Sequence, residues 1–374
     1  MASRSQINGL RVAVLTGGGD CPGLNAAIRS VAKTLMLTAN AEIIGIEDGF
    51  LGFIERRVRT LSYQECSGIQ SLGGTIIGTN NRANPFDYKG KDCSAQVKQY
   101  YDELGLDALV VIGGDGSLSI GYELTKLGMN IVGVPKTIDN DLMCTERTFG
   151  FDTAVSIVTE AIDRLRTTGQ SHKRIMIVET MGRNAGWIAL HGGIAGGADS
   201  ILIPEHPYDI KQVAKVCQER MGALHFSIVV VAEGARPADG DICVRETISD
   251  SPEPKRLGGI GEQLKHELST YVDAEIRATT LGHTQRGGSP TSFDRIFATN
   301  LGSYAARLVA SKQFNCAVIL KGNRLSHVPL ERVANKTRFI PDDDLTLQTA
   351  VAMGICFGTN ALKHPNISTT NEPE

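Results

Sequence analysis

The chain contains no long hydrophobic run. No stretch reaches the roughly 18 consecutive apolar residues that a membrane-spanning helix needs. A cationic segment followed by an apolar core, the pattern of a secretory leader, is also missing from residues 1–8. We therefore expect a cytoplasmic protein with no membrane partner.

An excess of one charge is missing too. The 374 residues carry a formal net charge of -3, whereas domains that bind nucleic acid usually present a basic face. This balance argues against a nucleic-acid partner. The basic residues that stand beside glycine-rich motifs are better interpreted as local phosphate ligands.

Cysteine pairs with metal-binding or redox spacing are not present. The eight cysteines include no CxxC pair, and none stands at zinc-ligand spacing from a histidine. This spacing excludes a zinc-ribbon or thioredoxin-like site, and we expect reduced thiols.

Short apolar runs alternate with helical patterns along the chain, which has 41% hydrophobic residues and 41 glycines. The apolar run from Val12 to Leu15 is followed by a helical pattern that starts at Pro22. Asp152 is predicted to cap another helix, which Gly169 is predicted to end. Further strands are predicted at 175–178, 201–203, 227–232 and 317–320. This alternation predicts an α/β protein with one large or two medium lobes.

Paired glycines follow one of the predicted strands. The apolar run 109–112 stops at GGDGS, residues 113–117, and a helical pattern over 118–127 comes next. Backbone amides at such a turn can reach phosphate oxygens, and Asp115 can reach a Mg²⁺ carried by them. A tight structural turn is an equally good interpretation of this motif alone.

A second polar stretch follows the next predicted strand. The run 131–134 leads into PKTIDND, residues 135–141. Because ligands of open α/β sheets bind at the carboxyl ends of strands, both stretches should open into one crevice. Asp139 and Asp141 would point to the same side of an extended segment, where one can bind a cation and the other accept a proton. A solvated acidic turn is the alternative, but it gives no reason for Lys136 and Thr137 to precede the pair.

These stretches belong to a longer ordered set of motifs. The set comprises GGGDCPGLN at 17–25, GGT at 73–75, GGDGS at 113–117, PKTIDND at 135–141, SHKR at 171–174, MGR at 181–183 and GHTQRGG at 282–288. With them the chain resembles the phosphofructokinase A family, glycolytic enzymes that phosphorylate fructose 6-phosphate at its 1-hydroxyl. The resemblance leaves out only the termini. It implies two similar three-layer α/β/α sandwich lobes with mainly parallel sheets, and the activity of a 6-phosphofructokinase.

The resemblance implies a role for each residue around the transferred phosphoryl group. Asp139 would be the general base, and Asp115 and Asp141 would hold Mg²⁺. Thr137, Lys136 and the Gly19 amide would contact the phosphoryl group in flight. The phosphoryl donor would be bound by Gly19, Arg82, Ala83, Gly114, Asp115, Gly116 and Ser117. Arg82 stands in a loop, 79–85, that is longer and richer in amides than the family's usual turn.

The resemblance also implies an acceptor site shared between subunits. Fructose 6-phosphate would be bound by Thr137, Ile138, Asp139, Met181, Gly182, Arg183, Glu233, His283 and Arg286, with Arg183 also catalytic. His283 and Arg286 would grip the 6-phosphate; alone, each would more often be a structural residue. Arg174 and Arg277 correspond to residues that reach the 6-phosphate of a neighbouring subunit in this family. We therefore expect a homodimer or homotetramer with shared active sites.

Two positions bear on the donor and point in different directions. Pyrophosphate-dependent relatives carry an aspartate at the position of Gly116, where it would repel the α-phosphate of a nucleotide. They also carry a lysine at the position of Lys136, where the best-known bacterial ATP enzymes have glycine. Because an aspartate excludes nucleotides whereas a lysine attracts any polyphosphate, we expect ATP as the donor, with pyrophosphate or ADP as alternatives.

The family fold implies that the chain passes between its lobes more than once. We expect a donor lobe from 1–149 and 286–336, and a fructose 6-phosphate lobe from 150–285 and 337–374 with a loose tail from 366. The irregular, acidic stretch 239–255 is interpreted as a surface excursion.

Two other classes of function stay open. A catalytically silent sensor of sugar phosphate and nucleotide would have lost the base or the cation ligands, whereas Asp115, Asp139 and Asp141 are all in place. Lipid kinases and NAD kinases share the GGDG turn, but PKTIDND and GHTQRGG do not fit those families.

Overall fold

The computed structural model of the chain describes residues 9–247 and 255–362. They form two compact units, which we call the first unit (9–154 and 286–338) and the second unit (155–247, 255–285 and 339–362). The structure divides the chain after residues 154, 285 and 338, where the predicted breaks follow 149, 285 and 336. Residues 1–8 and the tail that is predicted to be loose from 366 lie outside the described residues.

The strands and helices alternate along most of the chain. The strands are β1 (Arg11–Gly17), β2 (Glu42–Ile46), β3 (Val58–Leu61), β4 (Ala108–Gly113), β5 (Ile131–Thr137), β6 (Phe149–Gly150), β7 (Ile175–Thr180), β8 (Ser200–Leu202), β9 (Ser227–Ala232), β10 (Val244–Thr247), β11 (Lys255–Leu257), β12 (Ile276–Thr280), β13 (Cys316–Lys321) and β14 (Arg324–Pro329). The α-helices are α1 (Leu24–Ala39), α2 (Phe50–Ile54), α3 (Ser94–Glu103), α4 (Asp115–Lys126), α5 (Phe151–His172), α6 (Trp187–Gly196), α7 (Ile210–Leu224), α8 (Ile260–Leu268), α9 (Ser292–Ala310) and α10 (Leu345–Ala352). None of the helices in the described ranges is both long and apolar enough to cross a membrane.

The first unit is a sandwich around one sheet, with the strand order β14-β13-β5-β4-β1-β2-β3 and β6 paired with β5. The inner strands pair in parallel, and β3 and β14 pair antiparallel at the edges. Side chains of β1 alternate between two faces. Ala13 and Leu15 lie in one apolar cluster with residues of α2, α3 and α4, while Val12 and Val14 are fully buried outside it. Helices α1 and α9 pack together and contact β2, β5 and β13, so the sheet is the middle of three layers.

The second unit contains a parallel sheet with the order β12-β7-β9-β8. Ile177 and Val229 share an apolar cluster with residues of α7 and α8. On α6, a Cβ at Gly193 would lie 2.7 Å from the Ile201 side chain, so this helix packs closely on the sheet. Both units are therefore α/β with mainly parallel sheets, as predicted.

Several predicted element ends are wrong by a few residues. Helix α5 does not end at Gly169 but continues to His172, and a Cβ at Gly169 would lie 3.0 Å from the side chain of Met176. That glycine therefore serves close packing rather than termination. The GGDGS turn is shorter than predicted because α4 already begins at Asp115.

The stretch predicted as a surface excursion contains an exposed hairpin in its described part. All four residues of β10 are exposed, and β10 pairs antiparallel with β11. The structure describes all eight cysteines as free thiols.

Candidate active site

Three polar loops of the first unit meet at one edge of its sheet. The order β5-β4-β1 is central in the sheet, and the register places Gly17 beside Gly113 and Gly113 beside Pro135. The loops that follow these parallel strands therefore leave from the same, carboxyl edge, where open α/β sheets bind ligands. They carry the GGGD, GGDGS and PKTIDND motifs.

Glycine is required where the first two loops approach each other. A Cβ at Gly17 would lie 2.4 Å from the Ser117 hydroxyl, and a Cβ at Gly113 would lie 2.4 Å from the Ser117 Cβ. Gly18 has a φ of 77°, in the left-handed region that favours glycine. Helix α4 begins directly at this contact, and its N-cap residue Gly114 supplies no side-chain cap. The first amides of α4 thus form the kind of helix terminus that binds phosphate.

Two basic side chains donate hydrogen bonds to successive carbonyl oxygens of the first glycine loop. Lys136 is 3% exposed, and its Nζ donates to the Gly19 carbonyl oxygen at 2.6 Å. The Arg286 guanidinium donates from Nη1 to the Asp20 carbonyl oxygen at 3.2 Å. Burial lowers the pKa of Lys136, and the charge of Arg286 lowers it further. The glycine loop is therefore contacted by two basic side chains.

The loop that carries Asp139 is fixed by hydrogen bonds on both sides. The Asp139 N–H donates to Thr137 Oγ1 at 3.1 Å, and the Thr148 hydroxyl donates to the Thr137 carbonyl oxygen at 2.7 Å. Asn140 is 3% exposed and accepts the Thr148 N–H at 3.0 Å. Ile138 is fully buried. The Asp139 backbone is thus held in one conformation at the strand end.

Asp139 and Asp141 do not lie on an extended segment, contrary to the prediction. Asn140, between them, has a φ of 53°, so the alternation of side chains that extended chain would impose does not apply. Asparagine tolerates this left-handed conformation better than most residues. The loop turns at Asn140.

The carboxylate of Asp115 has a partner that sequence reasoning missed. Ser119 donates from Oγ to Asp115 Oδ1 at 3.2 Å, and the same Oγ accepts the Asn335 N–H at 2.8 Å. The spacing of four residues on α4 is the available signal for the first contact. Nothing local signals the second, because 216 positions separate its partners.

The predicted metal ligands suit a magnesium ion that arrives with a polyphosphate. Among residues 9–247 and 255–362, no group of three or more His, Cys, Asp or Glu is arranged to hold a metal by itself. Mg²⁺ is usually bound by one or two carboxylates together with substrate phosphates and water. Asp115, in the first turn of α4, and Asp141 provide such a pair.

The loop predicted to bind the donor through Arg82 is attached to the first glycine loop. The Thr79 hydroxyl donates to the Gly18 carbonyl oxygen at 2.6 Å, and the Gly18 N–H donates to the Asn80 carbonyl oxygen at 3.1 Å. Asn80 Oδ1 accepts the N–H of Arg82 at 2.7 Å and that of Ala83 at 2.9 Å. Asn80, which the prediction missed, therefore shapes this turn.

The second unit brings three predicted acceptor motifs together at the carboxyl edge of its sheet. The Glu233 N–H, after β9, donates to the Thr180 carbonyl oxygen at 2.9 Å, and the Gly234 N–H donates to the Gly182 carbonyl oxygen at 3.1 Å. The Met181 N–H donates to Oε1 of the fully buried Gln285 at 3.3 Å. The loops that carry Arg183, Glu233 and His283 are therefore hydrogen-bonded to one another or to the same strand ends. Gln285 was not predicted as a site residue.

The other end of the Arg183 loop is held by a buried carboxylate. Both oxygens of Glu205 accept the Gly186 N–H at 3.1 Å, and Oε1 also accepts the Ile340 N–H at 3.0 Å. Burial raises the pKa of Glu205. Gly186 is the N-cap residue of α6, so Glu205 caps the helix that follows the loop.

Arg286 and His283, predicted to bind one phosphate, fall in different units. Arg286 belongs to the first unit and contacts the glycine loop, whereas His283 belongs to the second unit and is exposed. That the two residues grip the same 6-phosphate stays a prediction.

Arg174 and Arg277 lie at the opposite edge of the second unit's sheet. Arg174 immediately precedes β7, and the register pairs Arg277 with Met176. Arg174 therefore lies at the amino end of β7, and Arg277, the second residue of β12, lies about 10 Å from the carboxyl end of that strand. Both form ion pairs with Glu275, and the hydrogen bond from Arg174 lowers the pKa of that carboxyl group.

Comparisons with known proteins agree with this architecture. A family model described as phosphofructokinase matches residues 11–309. The chain is 48% identical over 358 residues to an ATP-dependent 6-phosphofructokinase 2 of Clostridium perfringens, a match that covers 93% of this chain and 98% of the relative. It is 46% identical over 334 residues to a pyrophosphate–fructose 6-phosphate 1-phosphotransferase of Amycolatopsis methanolica, covering 89% of this chain and 97% of the relative.

A solved structure is similar at the level of the fold and of the sequence. The crystal structure of Pichia pastoris phosphofructokinase in the T-state matches with a TM-score of 0.77 and 30% sequence identity. The match covers 92% of this chain but 36% of the Pichia chain, so the chain spans about a third of that longer protein.

Proposed function

Because the chain belongs to the phosphofructokinase family, we propose that it is a 6-phosphofructokinase. It transfers a phosphoryl group from ATP to the 1-hydroxyl of fructose 6-phosphate, giving fructose 1,6-bisphosphate in the cytoplasm. The observation that carries the proposal is the meeting of the GGGD, GGDGS and PKTIDND loops at one edge of a parallel sheet. This is where a polyphosphate and an ionised hydroxyl would have to be brought together.

Asp139 acts as the general base. Its carboxylate takes the proton of the sugar 1-hydroxyl as the oxygen attacks the γ-phosphorus, and the bond from that phosphorus to the leaving oxygen breaks. The hydrogen bond from the Asp139 N–H to Thr137 Oγ1 supports this role, because it fixes the backbone that carries the base. Phosphoryl transfer depends mainly on such positioning and on charge stabilisation.

The donor phosphates are bound by backbone amides and cations around the glycine loops. The hydrogen-bond donors are backbone amides at the start of α4 and in the loop beside it, namely those of Gly19, Gly114, Gly116 and Ser117. Lys136, Arg82 and the Thr137 hydroxyl stabilise the negative charge of the phosphoryl group in flight.

Asp115 and Asp141 hold Mg²⁺ together with the donor. When bound, the ion neutralises phosphate charge and aligns the donor. The half-buried Asp115 carboxylate at the start of α4 supports this assignment. Ala83 and Ile138 are buried, and they support the loops beside the donor and the acceptor from within the core.

The acceptor is recognised by Met181, Gly182, Arg183, Glu233, His283 and Arg286. The hydrogen bonds among the loops after β7, β9 and β12 support this proposal for the residues of the second unit, because they hold the loops of Arg183, Glu233 and His283 on a common edge. Arg183 adds positive charge near the reacting groups.

Each site is completed by a second copy of the chain in a homodimer or homotetramer. Arg174 and Arg277 lie at the amino edge of their sheet, away from the acceptor residues of the same unit. A residue placed there is better positioned to serve the site of a neighbour across an isologous interface than a ligand at the opposite edge of its own sheet.

ATP is the donor that these positions favour, and pyrophosphate is the second candidate. Gly116 leaves room for the α-phosphate of a nucleotide, because in the described chain no heavy atom beyond its two neighbours and the backbone of its own helix lies within 4 Å of where its Cβ would be. The buried Lys136 beside Gly19 is the observation that favours pyrophosphate, and relatives of similar identity carry both donor names.

A donor panel tests the proposed function. Purified protein is assayed with fructose 6-phosphate and ATP, ADP, GTP or pyrophosphate, in both directions. We expect turnover with ATP and Mg²⁺ and little with pyrophosphate. If calorimetry shows binding of fructose 6-phosphate and ATP but no donor is turned over, the protein is a sensor of sugar phosphate and nucleotide and not an enzyme.

A further inference from the structure

One segment of the first unit contacts both elements that carry the proposed metal ligands. The Asn335 N–H donates to Ser119 Oγ, which donates to Asp115. Three residues later the Arg338 N–H donates to the Asp141 carbonyl oxygen at 2.7 Å. The segment thus joins the start of α4 to the loop after β5.

We propose that this segment, with Ser119, is a brace that sets the positions of Asp115 and Asp141 for a metal-bound polyphosphate. We define the brace as Ser119 and residues 335–338. The inference rests on the proposed function, because it assumes that the two carboxylates hold Mg²⁺. It adds positioning residues that the family motifs in this sequence do not include.

The hydroxyl of Ser119 is directed toward Asp115 by its surroundings. A serine inside a helix commonly donates to the carbonyl oxygen four residues earlier. Here Oγ donates to the side chain at that position and also accepts the Asn335 N–H. A hydroxyl has a single hydrogen, and Ser119 donates it to Asp115. Because Ser119 is only 8% exposed, this hydrogen bond restricts the rotation of the Asp115 carboxylate.

Arg338 fixes the backbone that carries the second carboxylate, that of Asp141. Its Nη1 donates to the carbonyl oxygens of Asn140 at 3.1 Å and Glu146 at 3.0 Å. Together with the bond from the Arg338 N–H, these contacts tie the left-handed turn at Asn140 to the brace. The distance between the two metal-binding elements is therefore set by one stretch of chain.

Removing an outer partner of a metal ligand weakens metal binding without removing the ligand. Losses of about 10–100-fold are typical for such residues. We expect Ser119→Ala to weaken Mn²⁺ binding to the ADP-saturated enzyme about tenfold, at the low end of that range, since the bond to Asp115 is long. Ser119→Thr keeps the hydroxyl and should retain wild-type affinity.

The test measures Mn²⁺ binding by electron paramagnetic resonance, with ADP saturating and no fructose 6-phosphate. Thr125→Ala is the matched control, because its hydroxyl lies on the same helix and donates to the Tyr122 carbonyl oxygen. ADP affinity in the presence of EDTA, measured by calorimetry, should not differ between Ser119→Ala and wild type. Arg338→Met is a second variant, expected to weaken Mn²⁺ binding in the same way.

Asp115→Asn separates failure of the brace from failure of the proposed function. If Asp115→Asn weakens Mn²⁺ binding and neither Ser119→Ala nor Arg338→Met does, the brace is overturned and the metal site stands. If Asp115→Asn also leaves Mn²⁺ affinity unchanged, the metal assignment and the brace both fall. Thermal unfolding midpoints of all variants show whether each one is folded.

Discussion

At the scale of single residues, we expect Gly116 to decide which donor the enzyme accepts. A side chain fits there without moving the described protein, since its Cβ would meet no heavy atom within 4 Å. We expect Gly116→Asp to lower kcat/KM for ATP by about a hundredfold or more, because a carboxylate about 4 Å from a phosphate costs about 4 kcal/mol at an effective dielectric constant of about 20. Assays with ATP and pyrophosphate check this, and Gly116→Ala, which adds no charge, should keep ATP turnover. Unchanged ATP use in Gly116→Asp would contradict the assignment.

The charge of Lys136, which is proposed to assist phosphoryl transfer, is expected to lower the stability of the folded protein. Because burial lowers its pKa, the unfolded chain binds this proton more tightly than the folded protein does. The contribution of Lys136 to stability therefore rises as the pH approaches the ordinary lysine pKa of about 10.4. We expect Lys136→Met to unfold at a higher temperature than wild type at pH 7 and to lose that advantage toward pH 10, while activity falls.

Calorimetric unfolding at both pH values measures this difference. Lys215→Met, at an exposed position of α7, is the control and should show no pH-dependent difference from wild type. A Lys136→Met protein that is less stable than wild type at every pH would show that the bond to the Gly19 carbonyl oxygen outweighs the cost of burying the charge.

At the scale of elements, the starts of α5 and α9 cap each other. The Thr291 hydroxyl donates to Asp152 at 2.8 Å and accepts the Asp294 N–H at 3.2 Å. The fully buried Asp294 accepts both the N–H and the hydroxyl of Thr153, at 2.8 and 2.6 Å. We expect Asp294→Ala to lower the free energy of unfolding by about 3 kcal/mol, since buried donors would lose a carboxylate acceptor. Urea unfolding measures this, and Asp163→Ala, at an exposed position of α5, should cost almost nothing.

The elements that the sequence predicts well are those whose signals are local. The runs 109–112 and 227–232 are strands in the structure, because buried parallel strands read as continuous apolar sequence. Once these strands are assigned, the carboxyl-edge rule is enough to bring the GGDGS and PKTIDND loops to one edge, whereas the GGGD loop was added only by the family resemblance. The candidate phosphate-binding loops were therefore predictable without coordinates.

The residues that were missed depend on contacts across the chain. The Ser119 hydroxyl, which donates to Asp115, also accepts the N–H of Asn335, which is far away in sequence. Gln285 accepts the N–H of Met181, from which it is separated by 104 positions. The left-handed turn at Asn140 was also missed, because asparagine is permitted but not required in that conformation. Gly169 was misassigned because a glycine that serves packing looks the same in sequence as one that ends a helix.

At the scale of the whole molecule, the proposal requires that active sites be shared between copies of the chain. Asp139→Asn and Arg277→Ala should each be inactive alone, and mixtures that are unfolded and refolded together should regain activity. We expect about a quarter of wild-type activity from a randomly mixed dimer, because half of the dimers are hybrids and each hybrid keeps one complete site. Refolding each variant alone is the control. No recovery in a mixture that native mass spectrometry shows to contain hybrids would contradict sharing.

The central claim is that Asp139 removes the proton of the sugar hydroxyl during phosphoryl transfer. Its most direct test is the kcat of Asp139→Asn with ATP, Mg²⁺ and fructose 6-phosphate, together with the affinity for each substrate in calorimetry. Loss of a general base predicts that kcat falls by about 10²–10⁴-fold while both substrates still bind. A variant that binds both substrates and turns them over at the wild-type rate would contradict the account.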